Sequence, residues 1–273
     1  MKTVLFNMIF PELTNKLPAG MLCIVFVSAI IAVAQLGLTV FNKLQGRNKT
    51  FRNNEVAGIM FGAVGLIYSL ILAFVIVAVW GNYEDLTKDI QAETDKMNNI
   101  ITHTSTMPDS IRIPIHQALY NYCQQVKDKE WRMENDSVNN QSAAIPCLRL
   151  MLLTQKPANA LQRNVFTVID EDLSKITELR RNRLNYNHSQ IPGLVWLILQ
   201  WGSVTLTVFS YFFYVISPLY KRIYLAFFSG CLAMCLFLVW SLDHPFNSNA
   251  QISRAPYTAI QELIKQDNPI ICN

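Results

Sequence analysis

The chain has 273 residues, of which 51% are hydrophobic and 15% charged, and its formal net charge at pH 7 is +4. Soluble domains usually contain about a quarter charged residues, so this composition argues against a free cytosolic protein. With ten Gly and eleven Pro, it also excludes a disordered or collagen-like chain. Six cysteines are too few for a small disulfide scaffold, and the mild charge gives no reason to expect a nucleic acid as partner.

Four uncharged, apolar stretches are long enough to cross a lipid bilayer. A hydrocarbon core about 30 Å thick requires roughly 20 consecutive apolar residues in a helix. The stretches that meet this requirement are 17–42, 56–80, about 191–216 and 223–242. Each should be a helix, because lipid offers no partner to an unpaired backbone group. The first stretch is longer than the core of a signal peptide, which favours a retained membrane anchor.

A polar block, 81–190, separates the second stretch from the third, and most of it has the spacing of amphipathic helices. Its apolar residues recur every three or four positions in three stripes, 83–101, 111–126 and 161–179. The third stripe runs through Val168 and is interrupted only by Asp172. Each of these helices must pack its apolar face against other helices or against another subunit.

Two local features predict where these helices begin and whether they join. Asp109 and Ser110 are residue types that favour the N-cap, so they predict the start of the second amphipathic helix. Gly81 alone separates the second apolar stretch from the first stripe, and no Pro intervenes. We therefore favour one continuous helix over about 56–101 rather than two helices with a bend at Gly81.

Together these elements predict an all-α integral membrane protein. It has four transmembrane helices and a helical extramembrane block between helices 2 and 3. The predicted divisions are an N-terminal part with helices 1 and 2 (1–80), the extramembrane domain (81–190), helices 3 and 4 (191–243) and a C-terminal tail (244–273). The lipid bilayer is therefore the first partner that the sequence implies.

The distribution of basic residues leaves the membrane orientation open. Lys and Arg near the ends of spans favour the cytoplasmic side. Both short connections between spans are basic, with Lys43, Arg47, Lys49 and Arg52 in the first and Lys221 and Arg222 in the second. Their charge density favours the cytoplasm for these connections. A count over both sides of the membrane is nevertheless close to a tie.

The residues that usually carry catalysis or metal binding do not form a recognisable pattern. No two of the four His residues have the i, i+4 spacing of a helical metal site, and the motifs of hydrolases, nucleotide-binding proteins and zinc proteases are missing. We expect neither an enzyme nor a cofactor nor a metal site. Cys123 and Cys147 could pair if the polar block were extracytoplasmic, and the sequence leaves this open.

The second apolar stretch is unusual in its small residues. Gly58 and Gly62 lie four positions apart, a spacing that allows close helix packing. An alternative is that this face lines a pore, because Gly62, Leu66 and Leu70 would form successive rings around a symmetry axis. Rings of Leu can gate a pore by dewetting, and the absence of charges within the spans argues against ion-coupled transport but not against a passive pore. The pore-lining candidates are Gly58, Gly62, Leu66, Leu70 and Ala73.

Several short motifs resemble those of a known family. Residues 79–86 read Val-Trp-Gly-Asn-Tyr-Glu-Asp-Leu, which resembles the end of the pore-lining helix of bestrophin anion channels. The wider pattern is similar to a bacterial bestrophin-like membrane family of uncharacterised function and covers about 55–256. Its matching pieces are Glu-Val-Ala-Gly at 55–58, Tyr122 with Glu130 and Trp131, Arg180 with Arg183, and Asp-His-Pro-Phe at 243–246.

The resemblance implies a homo-oligomer, with a pentamer favoured, and a central pore for chloride-like anions lined by the second span. Aligned from Trp80, the narrow neck of bestrophins falls on Gly62, Leu66 and Leu70, where Gly62 departs from a bulkier pattern. The consecutive carboxylates that bind calcium in that family are not visible, so calcium activation is not implied. The resemblance also implies a multi-pass protein of the inner membrane with 81–190 in the cytoplasm.

Three functions compete at this point. The leading one is an oligomeric channel for passive conduction of ions, with anions favoured. The alternative is a non-conducting scaffold or sensor whose helical domain docks an unknown protein partner. A membrane enzyme acting on lipid is the third, and Asp243 and His244 are its only candidate groups. Within the polar block, either an ion-pair clamp between helices or a ligand sensor is predicted from Glu130, Trp131, Arg180 and Arg183.

Overall fold

The computed structural model describes residues 19–44, 54–132, 145–146, 148–149, 160–186, 191–246 and 252–267. Within these residues the protein is helical and has no strand, as the sequence predicted. Seven α-helices have at least 13 residues: α1 Ala19–Leu44, α2 Asn54–Thr104, α3 Asp109–Asp128, α4 Ala160–Asn185, α5 Gly193–Ser210, α6 Pro218–Asp243 and α7 Ala255–Asp267. Four of them, α1, α2, α5 and α6, have the length and composition to cross a membrane.

Helix α2 continues through Gly81, which confirms the prediction of one helix in place of two. It has 51 residues, which corresponds to a length of about 75 Å at about 1.5 Å per residue. No Pro lies within it, and a single Gly in a helix costs only about 1 kcal/mol relative to Ala. The chain therefore meets no obstacle at the position where a bend was the alternative.

The third span is shorter than the sequence suggested, since α5 ends at Ser210 and not near residue 216. Tyr211 is the C-cap of α5, and the next helix begins at Pro218, a residue suited to the first turn because its missing N–H needs no partner there. The intervening segment is held by side chains of the same unit. The Tyr211 hydroxyl donates a hydrogen bond to the Ala34 carbonyl at 3.0 Å, and Lys221 Nζ donates to the Tyr211 carbonyl at 2.9 Å.

The start of α3 also differs from the prediction. Asp109 and Ser110 are not the N-cap, because Asp109 is already the first helical residue and Pro108 precedes it without a side-chain cap. The Asp109 carboxylate instead accepts a hydrogen bond from Arg112 Nη2 at 2.7 Å, one turn further along. A Pro before the first turn provides the extended backbone that a cap residue would otherwise adopt.

The described contacts divide the chain into two compact units. The first contains 1–83 and 189–250, and the second contains 84–188 and 251–273. These boundaries were not among those predicted, and the four-part division of the sequence stays a prediction. In the first unit, α1 packs against α6. The Ile31 side chain lies so close to Gly230 that a Cβ added to this glycine would be 3.2 Å from it. The rings of Phe26 and Phe237 are also in contact, with centroids 5.9 Å apart.

The first unit also contains polar contacts that join its helices within the apolar surroundings. Gln35 Nε2 donates to the Arg222 carbonyl at 2.8 Å, which makes this glutamine a link between α1 and α6. At the end of α6, the Asp243 carboxylate accepts hydrogen bonds from the Ile191 backbone N–H and from Trp196 Nε1, both at 3.1 Å. Asp243 therefore fixes the start of α5 to the end of α6.

The second unit buries the apolar stripes of α2, α3 and α4. Leu86, Ile90 and Met97 of the first stripe are at most 1% exposed, and so are Ile115, Leu119 and Tyr122 of the second. The third stripe departs from the prediction at Val168, which is 38% exposed, whereas the neighbouring Ile169 is fully buried; Ile176 and Leu179 are buried as predicted. Asp172 lies on the same buried face, where its carboxylate pairs with Lys96 Nζ at 2.9 Å.

Candidate functional site

One side of α2 packs within the first unit. Tyr68, Leu72 and Val79 lie on this side and are 2–6% exposed. The Tyr68 hydroxyl donates to the Leu199 carbonyl at 2.9 Å, and its ring covers Gly202 so closely that a Cβ there would collide with it. Residues at this spacing share one helix face, so α2 has a clear packing side toward α5.

The pore-lining candidates lie on a different side of α2, which the described part of the chain leaves uncovered. Leu66 is 70% exposed and Leu70 is 56% exposed, and a Cβ added at Gly58 or Gly62 would meet no atom within 4 Å. Ala73 is exposed as well. Among the described residues the glycines therefore serve no helix packing within the chain, which was one of the two interpretations of their spacing. Their role as pore lining stays a prediction.

A second candidate site is a buried cluster of charges around Glu130 in the second unit. Arg180 binds this carboxylate with Nη2 at 2.9 Å and Nε at 3.1 Å, and Arg183 Nη2 binds its other oxygen at 2.9 Å. Glu130 and Arg183 are each 1% exposed. The structure thus brings together three of the four residues predicted as clamp or sensor, and their role stays a prediction.

Trp131, the fourth predicted residue, lies beside this cluster and is completely buried. Its ring meets Tyr257 edge to face with centroids 6.0 Å apart, and the Arg254 guanidinium lies 5.6 Å from the ring centroid. A cation over an indole face contributes about 0.5–2 kcal/mol, depending on how far it is removed from water. Trp131 therefore connects the 3-10 turn Glu130–Arg132 to α7.

Glu93 completes the cluster, and the sequence analysis missed it. Its Oε2 accepts hydrogen bonds from Arg183 Nε at 3.1 Å and from the Tyr257 hydroxyl at 2.8 Å, while Oε1 accepts from the Tyr122 hydroxyl at 2.5 Å. A signal was present, because Glu93 falls between Ile90 and Met97 on the apolar stripe of α2. A charge on such a face requires a buried partner.

The electrostatics of the cluster keep its tyrosines neutral and its arginine charged. Burial first, and then the nearby Glu93, raises the pKa of Tyr122 well above its ordinary value. Burial and Glu93 also raise the pKa of Tyr257, although Arg183 opposes them. Burial alone would lower the pKa of Arg183, but the surrounding acidic groups outweigh it and raise that pKa. The arrangement fits a clamp between helices, with two arginines facing two carboxylates.

Two further titratable groups lie buried in the second unit. Cys123 is a free thiol that contacts Met97 Sδ at 3.7 Å, and burial raises its pKa to about 12. Cys147, its proposed disulfide partner, lies outside the described residues, so their pairing stays untested. His116 is fully buried, with Nε2 at 2.9 Å from the Thr104 hydroxyl and Nδ1 at 3.6 Å from Asp267.

The groups proposed for lipid chemistry are engaged in structural contacts. Both carboxylate oxygens of Asp243 accept hydrogen bonds from the start of α5, and the His244 ring stacks on Trp240 with centroids 5.7 Å apart. In the described part of the chain, no three His, Cys, Asp or Glu side chains come close enough to share a metal ion. The two candidate sites are therefore the uncovered face of α2 and the charge cluster around Glu130.

Comparison with known proteins agrees with this architecture. The family model of the Bestrophin-like domain matches residues 28–257. A comparison with curated proteins finds no match. Among solved structures, a bacterial bestrophin homologue from Klebsiella pneumoniae superposes with a TM-score of 0.63 at 12% identity, over 90% of this chain and 98% of that one. Together with the four apolar helices, the family match identifies a multi-pass membrane protein, and the chain belongs to the bestrophin-like family.

Proposed function

We propose that the chain forms an oligomeric membrane channel that conducts ions passively, and anions in preference, through a pore lined by α2. The observation that carries the proposal is the asymmetry of α2. One side packs through Tyr68 and Leu72, whereas the side with Leu66 and Leu70 is not covered by any other described residue of its own chain. Membership in the bestrophin-like family supports a channel-type function, and the resemblance to bestrophins supports anions as the conducted ions.

The chemistry of the uncovered face fits a gate without charges. Leu66 and Leu70 lie one helical turn apart, so copies of α2 around an axis would form two rings of Leu about 6 Å apart. A narrow ring of this kind dewets and closes, and it conducts when a small widening admits water. Gly62 would form a wider ring one turn before Leu66, which leaves the two Leu rings as the constriction.

Conduction is best tested on purified oligomers in planar bilayers. We expect single-channel currents that increase in Leu66→Ala and Leu70→Ala, because both substitutions widen the proposed constriction. Ile67→Ala is the matched control: Ile67 is 62% exposed on the same helix but points about 100° away from Leu66. Reversal potentials in a KCl gradient then report whether chloride or potassium passes.

Two outcomes would overturn this function. Silence of correctly assembled oligomers over many preparations would favour the alternative, a scaffold or sensor that docks a protein partner. Equal effects of the Leu66 and Ile67 substitutions would show that the Leu rings do not face the conduction path. A variant can lose its current because its oligomer dissociates. The mass of the assembled oligomer is therefore measured for each variant before currents are compared.

The proposal includes a pentamer in the inner membrane with 81–190 in the cytoplasm, as the bestrophin resemblance implies. The density of Lys and Arg in the two short connections favours the opposite orientation, so the orientation needs its own experiment. Four spans place the C-terminus on the same side as 81–190. A green fluorescent protein fused after residue 273 should therefore fluoresce, whereas alkaline phosphatase fused there should be inactive, because its disulfides form only in the periplasm. Phosphatase activity without fluorescence would reverse the assignment.

A further inference from the structure

A cavity of about 340 Å³ opens in the first unit, and nothing in the proposed conduction path uses it. It lies near the end of α1, the start of α2, the end of α5 and the start of α6. Its wall is mainly aromatic and aliphatic, with Phe61, Tyr211, Phe213, Tyr224, Leu225 and Phe228 among the lining residues. Such a wall suits an apolar chain rather than a polar metabolite.

Among the described residues that line this cavity, one side chain is cationic, that of Lys221. Lys221 Nζ donates one hydrogen bond, to the Tyr211 carbonyl at 2.9 Å, and an ammonium has three donors. Among the described residues, no carboxylate pairs with Lys221. The Asn54 side chain is already hydrogen-bonded to the Tyr214 backbone. Its Nδ2 donates to the Tyr214 carbonyl at 2.7 Å, and its Oδ1 accepts from the Tyr214 N–H at 3.0 Å. The charge offered to a ligand is therefore that of Lys221.

The cavity also lies on the more basic side of the first unit. Four crossing helices place the connection after α1 and the connection before α6 on the same side of the membrane. Glu55 is the sole acidic residue in 43–55, which contains four basic ones, and 211–224 contains Lys221 and Arg222 without any acidic residue. Basic and aromatic side chains at a membrane interface attract anionic headgroups.

We propose that this cavity binds an anionic phospholipid. Its acyl chain lies among the aromatic side chains, and its phosphate accepts hydrogen bonds from the Lys221 ammonium. Charge complementarity selects an anionic lipid over a zwitterionic one, since the zwitterionic headgroup brings its own cation toward Lys221. The aromatic wall distinguishes a lipid from free phosphate, which has nothing to place against six apolar side chains.

Native mass spectrometry of the intact, purified oligomer tests the site. The protein is exchanged in detergent with phosphatidylglycerol, with phosphatidylcholine of the same acyl chains, or with inorganic phosphate. We expect retained phosphatidylglycerol, and a loss of retention of at least about tenfold in Lys221→Met, because a hydrogen bond to a charged group is stronger than one between neutral groups. Arg222→Met removes the same charge from an exposed neighbour that does not line the cavity, and its effect should stay below about twofold.

Two more variants separate the site from general surface attraction. Lys221→Arg keeps the charge and should retain the lipid, while Val215→Trp fills the cavity and should exclude it whatever the headgroup. Retention by Val215→Trp, equal losses in Lys221→Met and Arg222→Met, or binding of inorganic phosphate in place of lipid would each overturn the proposal. So would an oligomer that carries no lipid at all, which would mean that a neighbouring copy fills the cavity.

Discussion

The Arg183 Nε atom lies 3.1 Å from Glu93 Oε2, although 90 residues separate the two in the chain, and each side chain is at most 1% exposed. A buried ion pair of this kind stabilises little relative to a well-packed apolar pair, because both ions lose their hydration. Breaking it from one side is far more costly, since the remaining ion stays buried without its partner. The charge of Glu93 is compensated by Arg183, which is its ion-pair partner among the described residues.

Replacing Arg183 with Met should destabilise the protein by about 3–5 kcal/mol, because it leaves Glu93 buried and uncompensated. Loss of native elution on size-exclusion chromatography after heating in detergent measures the effect. Lys88→Met serves as the control, since Lys88 is 66% exposed beside Glu84 and Asp85 and its pairs should contribute less than about 1 kcal/mol. Equal melting temperatures of the two variants would contradict the buried pair.

Replacing Tyr257 with Phe should release α7 from α2 within the second unit. The substitution removes the hydroxyl that donates to Glu93 at 2.8 Å and leaves that carboxylate with an unsatisfied position. We expect a loss of about 1–3 kcal/mol and faster proteolysis near residue 255. Tyr120→Phe is the matched control for this loss, because Tyr120 is only partly buried and Lys265 contacts its ring and not its hydroxyl.

The stability of the second unit should fall as the pH falls below about 6.5, the ordinary pKa of a histidine. Burial lowers the pKa of His116, Arg112 lowers it further, and Asp267 opposes both. Between the pKa of His116 in the unfolded chain and its lower pKa in the folded chain, only the unfolded chain binds the proton. The contribution of His116 to stability is therefore complete above about pH 6.5 and decreases as the pH falls toward the folded-state pKa. His116→Gln should flatten the decline in melting temperature between about pH 7.5 and 5.

The exposed His103 provides the control for this pH dependence. His103→Gln makes the same substitution at an exposed histidine and should retain the full decline. Parallel curves for the wild type and His116→Gln would show that other groups cause the acid sensitivity of the unit.

Adding a methyl group at Gly202 should destabilise the first unit. The new Cβ would collide with the Tyr68 ring, and the displacement would also stretch the hydrogen bond from Tyr68 to Leu199. Overpacking of this kind costs about 1–3 kcal/mol, more than the helix propensity that Ala gains. Gly65→Ala should leave the melting temperature unchanged or raise it, since a Cβ there meets no atom within 4 Å. A similar loss in both variants would argue against the Tyr68 contact.

The transmembrane helices could be predicted because bilayer thickness alone sets their length and lipid forces the backbone into helices. Their ends were predicted less well. Helix α5 ends at Ser210 although the apolar stretch continues to about residue 216, and a count of apolar residues does not register where a helix gives way to a turn. In the stripe of α4, Ile169 is buried in place of Val168, because two neighbouring apolar residues leave open which of them faces the core.

The charge cluster was predicted only in part, because its members come from distant parts of the sequence. Glu130 and Arg183 were found through a resemblance, and spacing could not have paired them across 53 residues. Glu93 was detectable as a charge on an apolar stripe, as Asp172 was on another. Tyr257 could not be detected in this way, because the sequence of an amphipathic helix does not show that a tyrosine hydroxyl binds a carboxylate 164 residues away.

The glycines of the first unit fall into two groups with different genetic behaviour. Gly37, Gly202 and Gly230 each have a side chain from a distant part of the sequence within 3.2 Å of the Cβ position, whereas Gly58, Gly62 and Gly65 have open space there. Substitutions in the first group should yield chains that are degraded before they assemble, and suppressors should arise in the touching residue of the same chain. Under the proposed assembly, substitutions in the second group should yield stable subunits with altered subunit contacts, and suppressors should arise at positions where another subunit would contact α2.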